Sequence, residues 1–165
     1  MHQHNIFATL GAIADALRAR GCADVATELH LCSHERSATS YSGRLTLWLH
    51  HDGAATSLEA DSIAAALDTG AAYARIQSAS DALALLDGLT ALECEYDGPI
   101  PQYRRDDALH RIAAARAWMA RHPAAVAEER ERRREALLRA TAAGDARWAE
   151  ALPRRPDAAM VGRIA

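Results

Sequence analysis

Histidine and cysteine are placed along this chain so that several could gather around one ion. His30 and Cys32 alternate with Leu29 and Leu31, and His50 alternates with Leu47 and Leu49. Period-two alternation of this kind puts the three polar residues on one face of adjacent strands. If His34 lies opposite Thr46, Cys32 lies opposite Trp48 and His30 opposite His50. Directly opposed residues have Cβ atoms about 4.5–5.5 Å apart, close enough for imidazole and thiolate groups to share a zinc ion. His30, Cys32 and His50 are therefore the candidate metal ligands, although no fourth ligand is in view and His51 should point to the leucine face. Histidine as ordinary sheet surface accounts for the same residues.

Other chemistries find less support. A Cys32–histidine nucleophile pair lacks an orienting acid on its own face. His34-Glu35-Arg36 begins like a zincin signature, but the second histidine four residues on is absent. The chain contains no lysine, so a P-loop lysine, a Schiff-base lysine and a Ser-Lys dyad are all excluded. No Gly-rich phosphate loop, nucleophile elbow or calcium loop is present. No catalytic residue and no cofactor is assigned, and the expectation is a protein that is not an enzyme.

Charge is more informative. The net −3 of the 165 residues conceals two halves of opposite sign. Residues 1–103 hold five arginines against thirteen acids, a formal −8, and residues 104–165 hold fourteen arginines against nine acids, a formal +5. A two-sign chain can bind its own halves together or offer two faces to partners. On the acidic side Glu28, Glu35, Glu59, Glu93 and Glu95 are the candidate contacts for a basic partner, while Asp61, Asp68, Asp81 and Asp87 read as helix caps and turn residues. On the basic side Arg104, Arg105, Arg111, Arg116, Arg130 and Arg133 are candidate contacts for a partner or a nucleic acid. Trp118 lies beside that basic stripe, where arginine and an aromatic ring can together hold nucleotides; packing of Trp118 onto the acidic body is the favoured alternative. The run Glu128–Glu135 sums to zero, and Glu128–Arg132, Glu129–Arg133 and Glu135–Arg139 stand at i,i+4 in the favourable order.

The elements that must carry these residues follow from periodicity and caps. Asn5 caps a first helix with Ile6, Leu10, Ile13 and Leu17 on one stripe, stopped at Gly21. Strands follow at 25–35 and 44–51, joined by a Ser37–Gly43 loop, and Asp52-Gly53 turns the chain into a third strand at 54–59. Asp61 or Ser62 caps a helix ending near Gly70, and Ser80 caps another ending at Gly88, with 71–77 ambiguous between them. Residues 90–96 read as a strand, and Asp97–Pro101 ends it. The rest is helical: one helix capped by Asp106 or Asp107, one from Pro123 to about Ala143, and a short third capped by Asp145. The tail from Arg154 has no periodicity.

The fold class is thus α+β: an N-terminal helix, an antiparallel sheet of three to five strands with flanking helices, and a C-terminal segment of two to three helices. Two parts are expected, an acidic α+β body at 1–103 and a basic helical segment at 104–165. The odd, scattered cysteines suit reduced thiols, no stretch reaches the ~20 apolar residues of a spanning helix, and the N-terminus lacks a signal peptide, so a cytoplasmic location is expected. Arginine and alanine in place of lysine suit a GC-rich bacterial or phage origin. The functional expectation is a module that binds a protein partner, such as an inhibitor or accessory of a nucleic-acid-handling complex in the anti-defence manner. The alternatives are direct nucleic-acid binding by the C-terminal arginines and a metal- or thiol-dependent enzyme centred on the hairpin face. Self-association through Leu109, Ile112, Met119, Leu137 and Leu138 is left open.

Overall fold

The computed structural model describes residues 5–37, 40–95 and 99–151, with side chains for 5–30, 45–88 and 99–147. The element order is α1 (Ile6–Ala19), β1 (Ala26–Ser37), β2 (Ser40–His51), β3 (Ala54–Ala60), α2 (Ile63–Arg75), α3 (Ala79–Glu95), α4 (Gln102–Arg121) and α5 (Pro123–Ala151). This is the expected α+β class, with the strands forming one antiparallel sheet in the order β1-β2-β3.

Side-chain caps set the starts of α1, α2 and α3. The Asn5 side chain accepts from the Ala8 amide at 3.2 Å, satisfying one of the orphan donors of α1. Gly21, at φ +88°, closes the helix: the Gly21 amide donates to the Arg18 carbonyl and the Cys22 amide to the Leu17 carbonyl, a Schellman arrangement. Ser62 caps α2 through the Ala65 amide at 3.1 Å. At the start of α3, Ser78 rather than Ser80 is the capping residue: its hydroxyl accepts from the Asp81 amide while the Asp81 carboxylate accepts from the Gln77 amide. Asp52 and Gly53 both take positive φ, 52° and 71°, which a tight turn matched to strand twist requires.

The sheet and α1, α2 and α4 share one core. Leu47, Leu49 and Leu58 project from the sheet onto Ile13 and Leu17 of α1 and onto Ala66, Leu67 and Tyr73 of α2, all essentially out of solvent. On the far side Ala114, Ala115 and Trp118 of α4 and Ala82 and Leu83 of α3 extend the same cluster. Gly70 is the closest approach. A methyl group there would overlap Leu47 Cδ2 and come within 3.0 Å of Ile13 Cδ1.

That packing explains several departures from the sequence reading. Helix α2 does not stop at Gly70 but runs to Arg75, because the glycine serves helix–sheet approach rather than termination. Gly88 likewise does not end α3, which continues to Glu95 in place of the strand expected at 90–96. Leu85, Leu89 and Leu92 recur at helical spacing there, and the Leu92/Cys94 alternation was the competing pattern. Tyr96 lies outside the described residues. Helix α4 starts at Gln102 after Pro101 without a side-chain cap, so Asp106 and Asp107 are helix-interior residues. Helix α5 passes through Gly144 and Asp145 to Ala151, absorbing the expected short third helix. Leu152, Pro153 and the tail from Arg154 lie outside the described residues.

By compactness the chain divides into Met1–Ala127 and Glu128–Ala165, later than the change of charge at 103/104. Helix α4 carries Ile112, Ala115 and Trp118 at helical spacing and buries them against α2 and α3, so its packing assigns it to the first unit although its arginines belong to the basic stretch. The first unit holds ten arginines against fifteen acids, a formal −5. In the second unit α5 is laced by ion pairs at the expected spacings: Glu128–Arg132, Glu129–Arg133 at 3.1 Å and Glu135–Arg139 at 2.9 Å. Arg132 also reaches Glu129 one turn back.

Candidate functional site

The hairpin register is the first determinant of any site on the sheet. Strand β1 pairs with β2 as His30↔Thr46, Cys32↔Arg44, Glu28↔Trp48 and Ala26↔His50. The expected pairing of His30 with His50 and Cys32 with Trp48 is therefore displaced by four residues along β2. The reason is the connection. Strand pairing persists to Ser37↔Ser40, so most of the Ser37–Gly43 segment is strand, and the shorter loop sets the register. An even displacement preserves the faces but separates the ligands. His30 and His50 now flank Glu28, with Nε2–Oε2 distances of 3.0 and 3.8 Å; the second is beyond hydrogen-bond reach. The side chain of Cys32 lies outside the described set. In the backbone register Ala26 stands opposite His50 and Arg44 opposite Cys32, so the direct His30–His50 pairing on which the candidate metal site was built is absent.

The leucine face delivers a different cluster. His51 continues the Leu45, Leu47, Leu49 alternation inward, as the period requires, and is 2% exposed. Its Nδ1 is 3.1 Å from the Asp52 carboxylate and its Nε2 is 3.1 Å from the Tyr73 hydroxyl, which itself lies 3.5 Å from Thr56 Oγ1. Asp52 also receives the Ala23 amide at 2.8 Å, and its own amide donates to the Ala23 carbonyl at 2.8 Å. The end of α1 and the β2–β3 turn are thereby stitched together, and Cys22 is brought to Asp52. One ligand atom from each of Cys22, His51 and Asp52 lies within 4.8 Å of the other two. Arg121 from α4 closes the corner, donating to the carbonyls of His51 and Ala54 and to Thr56 Oγ1. Arg20 donates to the carbonyls of Tyr73 and Ala74.

Electrostatics in this corner follow from burial and these partners. Burial lowers the His51 pKa, against the hydrogen bond to Asp52 that raises it. The hydrogen bonds from His51 and the Ala23 amide hold Asp52 down at about 2. Burial, then the Asp52 charge, pushes the Cys22 thiol up. Cys22 is thus a protonated thiol at neutral pH, and both ring nitrogens of His51 already have partners. This is not the geometry of an activated thiolate nucleophile. Gly21 and the Asp52-Gly53 turn are legible in the sequence, but nothing local joins Cys22 to the β2–β3 turn.

A second feature is a cleft of about 770 Å³ between the β3–α2 junction and α4. Glu59, Asp61, Asp68 and Asp106 line it together with His110 and Leu109, which is 47% exposed. Gln102 donates to Asp106 at 2.7 Å, and His110 Nδ1 stands 3.9 Å from Asp68. The cleft therefore gathers four carboxylates and one imidazole together with Leu109 and alanines in its lining. Of the acidic candidates, Glu59 lies in it and Glu28 is engaged with the histidines on the outer sheet face. Glu35, Glu93 and Glu95 fall among residues whose side chains are not described.

The basic candidates separate. Arg104, Arg105, Arg111 and Arg116 are exposed on α4, with Arg111 paired to Asp107 at 2.6 Å. Trp118 is not beside them in solvent: it is 5% exposed, with its ring 4.3 Å from that of His122. Arg130 is exposed and Arg133 is half-buried on α5, the latter bound to Glu129. On α4 the exposed arginines and the buried Trp118 do not form one surface. No helix among the described residues is long and apolar enough to cross a membrane. Comparison of the chain with protein-family models, with curated proteins and with solved structures finds no match.

Proposed function

We propose that the protein is a binding module whose acidic cleft receives a basic, amphipathic segment of a partner protein. The observation that carries this reading is the lining of one concave surface by Glu59, Asp61, Asp68 and Asp106 around the exposed Leu109. A cleft lined by one sign of charge focuses field and raises the encounter rate of an oppositely charged partner. Leu109 and the lining alanines supply what carboxylates alone do not, contact for one aliphatic or aromatic anchor flanked by arginine or lysine. Partners of that chemistry abound among nucleic-acid-handling proteins, whose basic surfaces an acidic module can occupy. An inhibitor or accessory of such a complex is the concrete form of the proposal.

The test uses the full-length protein and two fluorescent peptides, one arginine-rich with a single central leucine and one with the arginines replaced by glutamine. The arginine peptide is expected to bind with an affinity that falls as salt rises, and the glutamine peptide to bind at least tenfold more weakly. Asp61→Asn with Asp106→Asn is expected to lose at least tenfold. Equal binding by the double variant would remove the cleft as the peptide's seat, and binding of a DNA duplex lost on Arg105→Ala with Arg116→Ala would transfer the function to the arginines.

A further inference from the structure

We propose that Cys22, His51 and Asp52 form a binding site for one divalent cation of the zinc class, with Cys22 Sγ, His51 Nδ1 and an Asp52 carboxylate oxygen as the protein ligands. Three observations meet here. The ligand atoms lie within 4.8 Å of one another, and the His51 Nδ1 to Asp52 distance of 3.1 Å is close to the roughly 3.3 Å that separates nitrogen and oxygen ligands on a tetrahedral zinc. The donor set is one soft thiolate, one imidazole and one carboxylate, a mixture suited to zinc and its neighbours rather than to magnesium or calcium. The outer partners that such ligands need are also in place. Nε2 of His51 faces the Tyr73 hydroxyl, and the second Asp52 oxygen is held by the Ala23 amide.

The proton inventory closes. Before binding, His51 Nδ1–H donates to Asp52, and Nε2 accepts from the Tyr73 hydroxyl. On binding, the cation takes Nδ1, the imidazole proton passes to Nε2, and Nε2–H donates to Tyr73, whose own hydroxyl turns to Thr56 Oγ1. Cys22 loses its thiol proton to solvent, so one proton is released per cation bound. The thiolate and carboxylate together neutralise a divalent charge. Arg20 and Arg121, anchored nearby on backbone carbonyls, oppose a cation, and an anionic sulfur at position 22 is therefore required. Three protein ligands leave a fourth position, on the side where Cys22 and Asp52 meet solvent.

Cobalt(II) is the probe. Full-length, untagged, reduced protein freed of metal by chelation is titrated with cobalt(II), and the thiolate-to-cobalt charge-transfer absorption is followed. The expected result is saturation at one equivalent, displacement by zinc, and loss of the band in Cys22→Ala but not in Cys32→Ala, Cys94→Ala or the His30→Ala/His50→Ala pair. Asp52→Asn, at an exposed position, is expected to weaken binding at least tenfold while leaving the circular dichroism unchanged. Absence of a thiolate band in the unmodified protein, or its persistence in folded Cys22→Ala, overturns the assignment.

Discussion

The Tyr73 hydroxyl lies 3.1 Å from Nε2 of His51, and both residues are essentially excluded from water. This one hydrogen bond joins α2 to the end of β2 and orients an imidazole whose pKa burial lowers. A buried histidine with both nitrogens partnered is held in orientation; one partner fewer leaves a polar atom stranded.

Tyr73→Phe removes that partner without changing the ring packing. The expected cost is about 1–3 kcal/mol, the penalty for one unsatisfied buried group, read as a lower denaturant midpoint with an unchanged slope. A change below a few tenths would mean that His51 finds water instead.

Gly70→Ala tests the helix–sheet approach. Alanine gains about 1 kcal/mol of helix propensity over glycine, but its methyl would strike Leu47, which has no solvent to retreat into. Overpacking of this sort costs about 1–3 kcal/mol, so net destabilisation is expected. Gly88→Ala is the control: nothing lies within 4 Å of a Cβ there, and the same substitution should stabilise. Thermal melts of the two variants should move in opposite directions.

Arg121→Lys is expected to destabilise despite keeping the charge. The guanidinium serves His51, Ala54 and Thr56 from one planar fork, and a lysine ammonium cannot reproduce that geometry. A loss of about 1.5–3 kcal/mol is expected from hydrogen bonds to a charged donor, with Arg121→Ala at least as severe. Urea denaturation of the three proteins measures it.

His122 gives the pH dependence. Burial against Trp118, then the charge of Arg121, lowers its pKa from the ordinary 6.5, with His51 and Arg20 acting in the same direction and Asp52 against. Between its folded value and 6.5 the unfolded chain binds more protons than the folded one, so stability falls as pH falls. Its contribution is complete above pH 6.5 and is lost progressively below. Denaturation midpoints at pH 7.5 and 5.5 should differ less in His122→Phe than in the parent; an identical difference would assign the slope to other groups.

What the sequence by itself determined was local. The α+β class, the first helix with Asn5 and Gly21 at its ends, the Asp52-Gly53 turn, the inward aim of His51 and the i,i+4 pairs of α5 all rest on chemistry within a few residues. Each is a cap, a period or a side-chain neighbour, and each is present in the structure. The departures share a physical cause. Gly70 reads as a helix stop only until Leu47 and Ile13 are known to lie against it. Hairpin register depends on where pairing ends at Ser37 and Ser40, and a four-residue displacement leaves the alternation unchanged. The grouping of Cys22 with His51 and Asp52, and of Glu59 with Asp106, joins residues 29 and more positions apart. Only the packing of α1, the sheet, α2 and α4 around one core brings such residues together, because contacts of that span are fixed by burial of shared apolar faces and not by local preference.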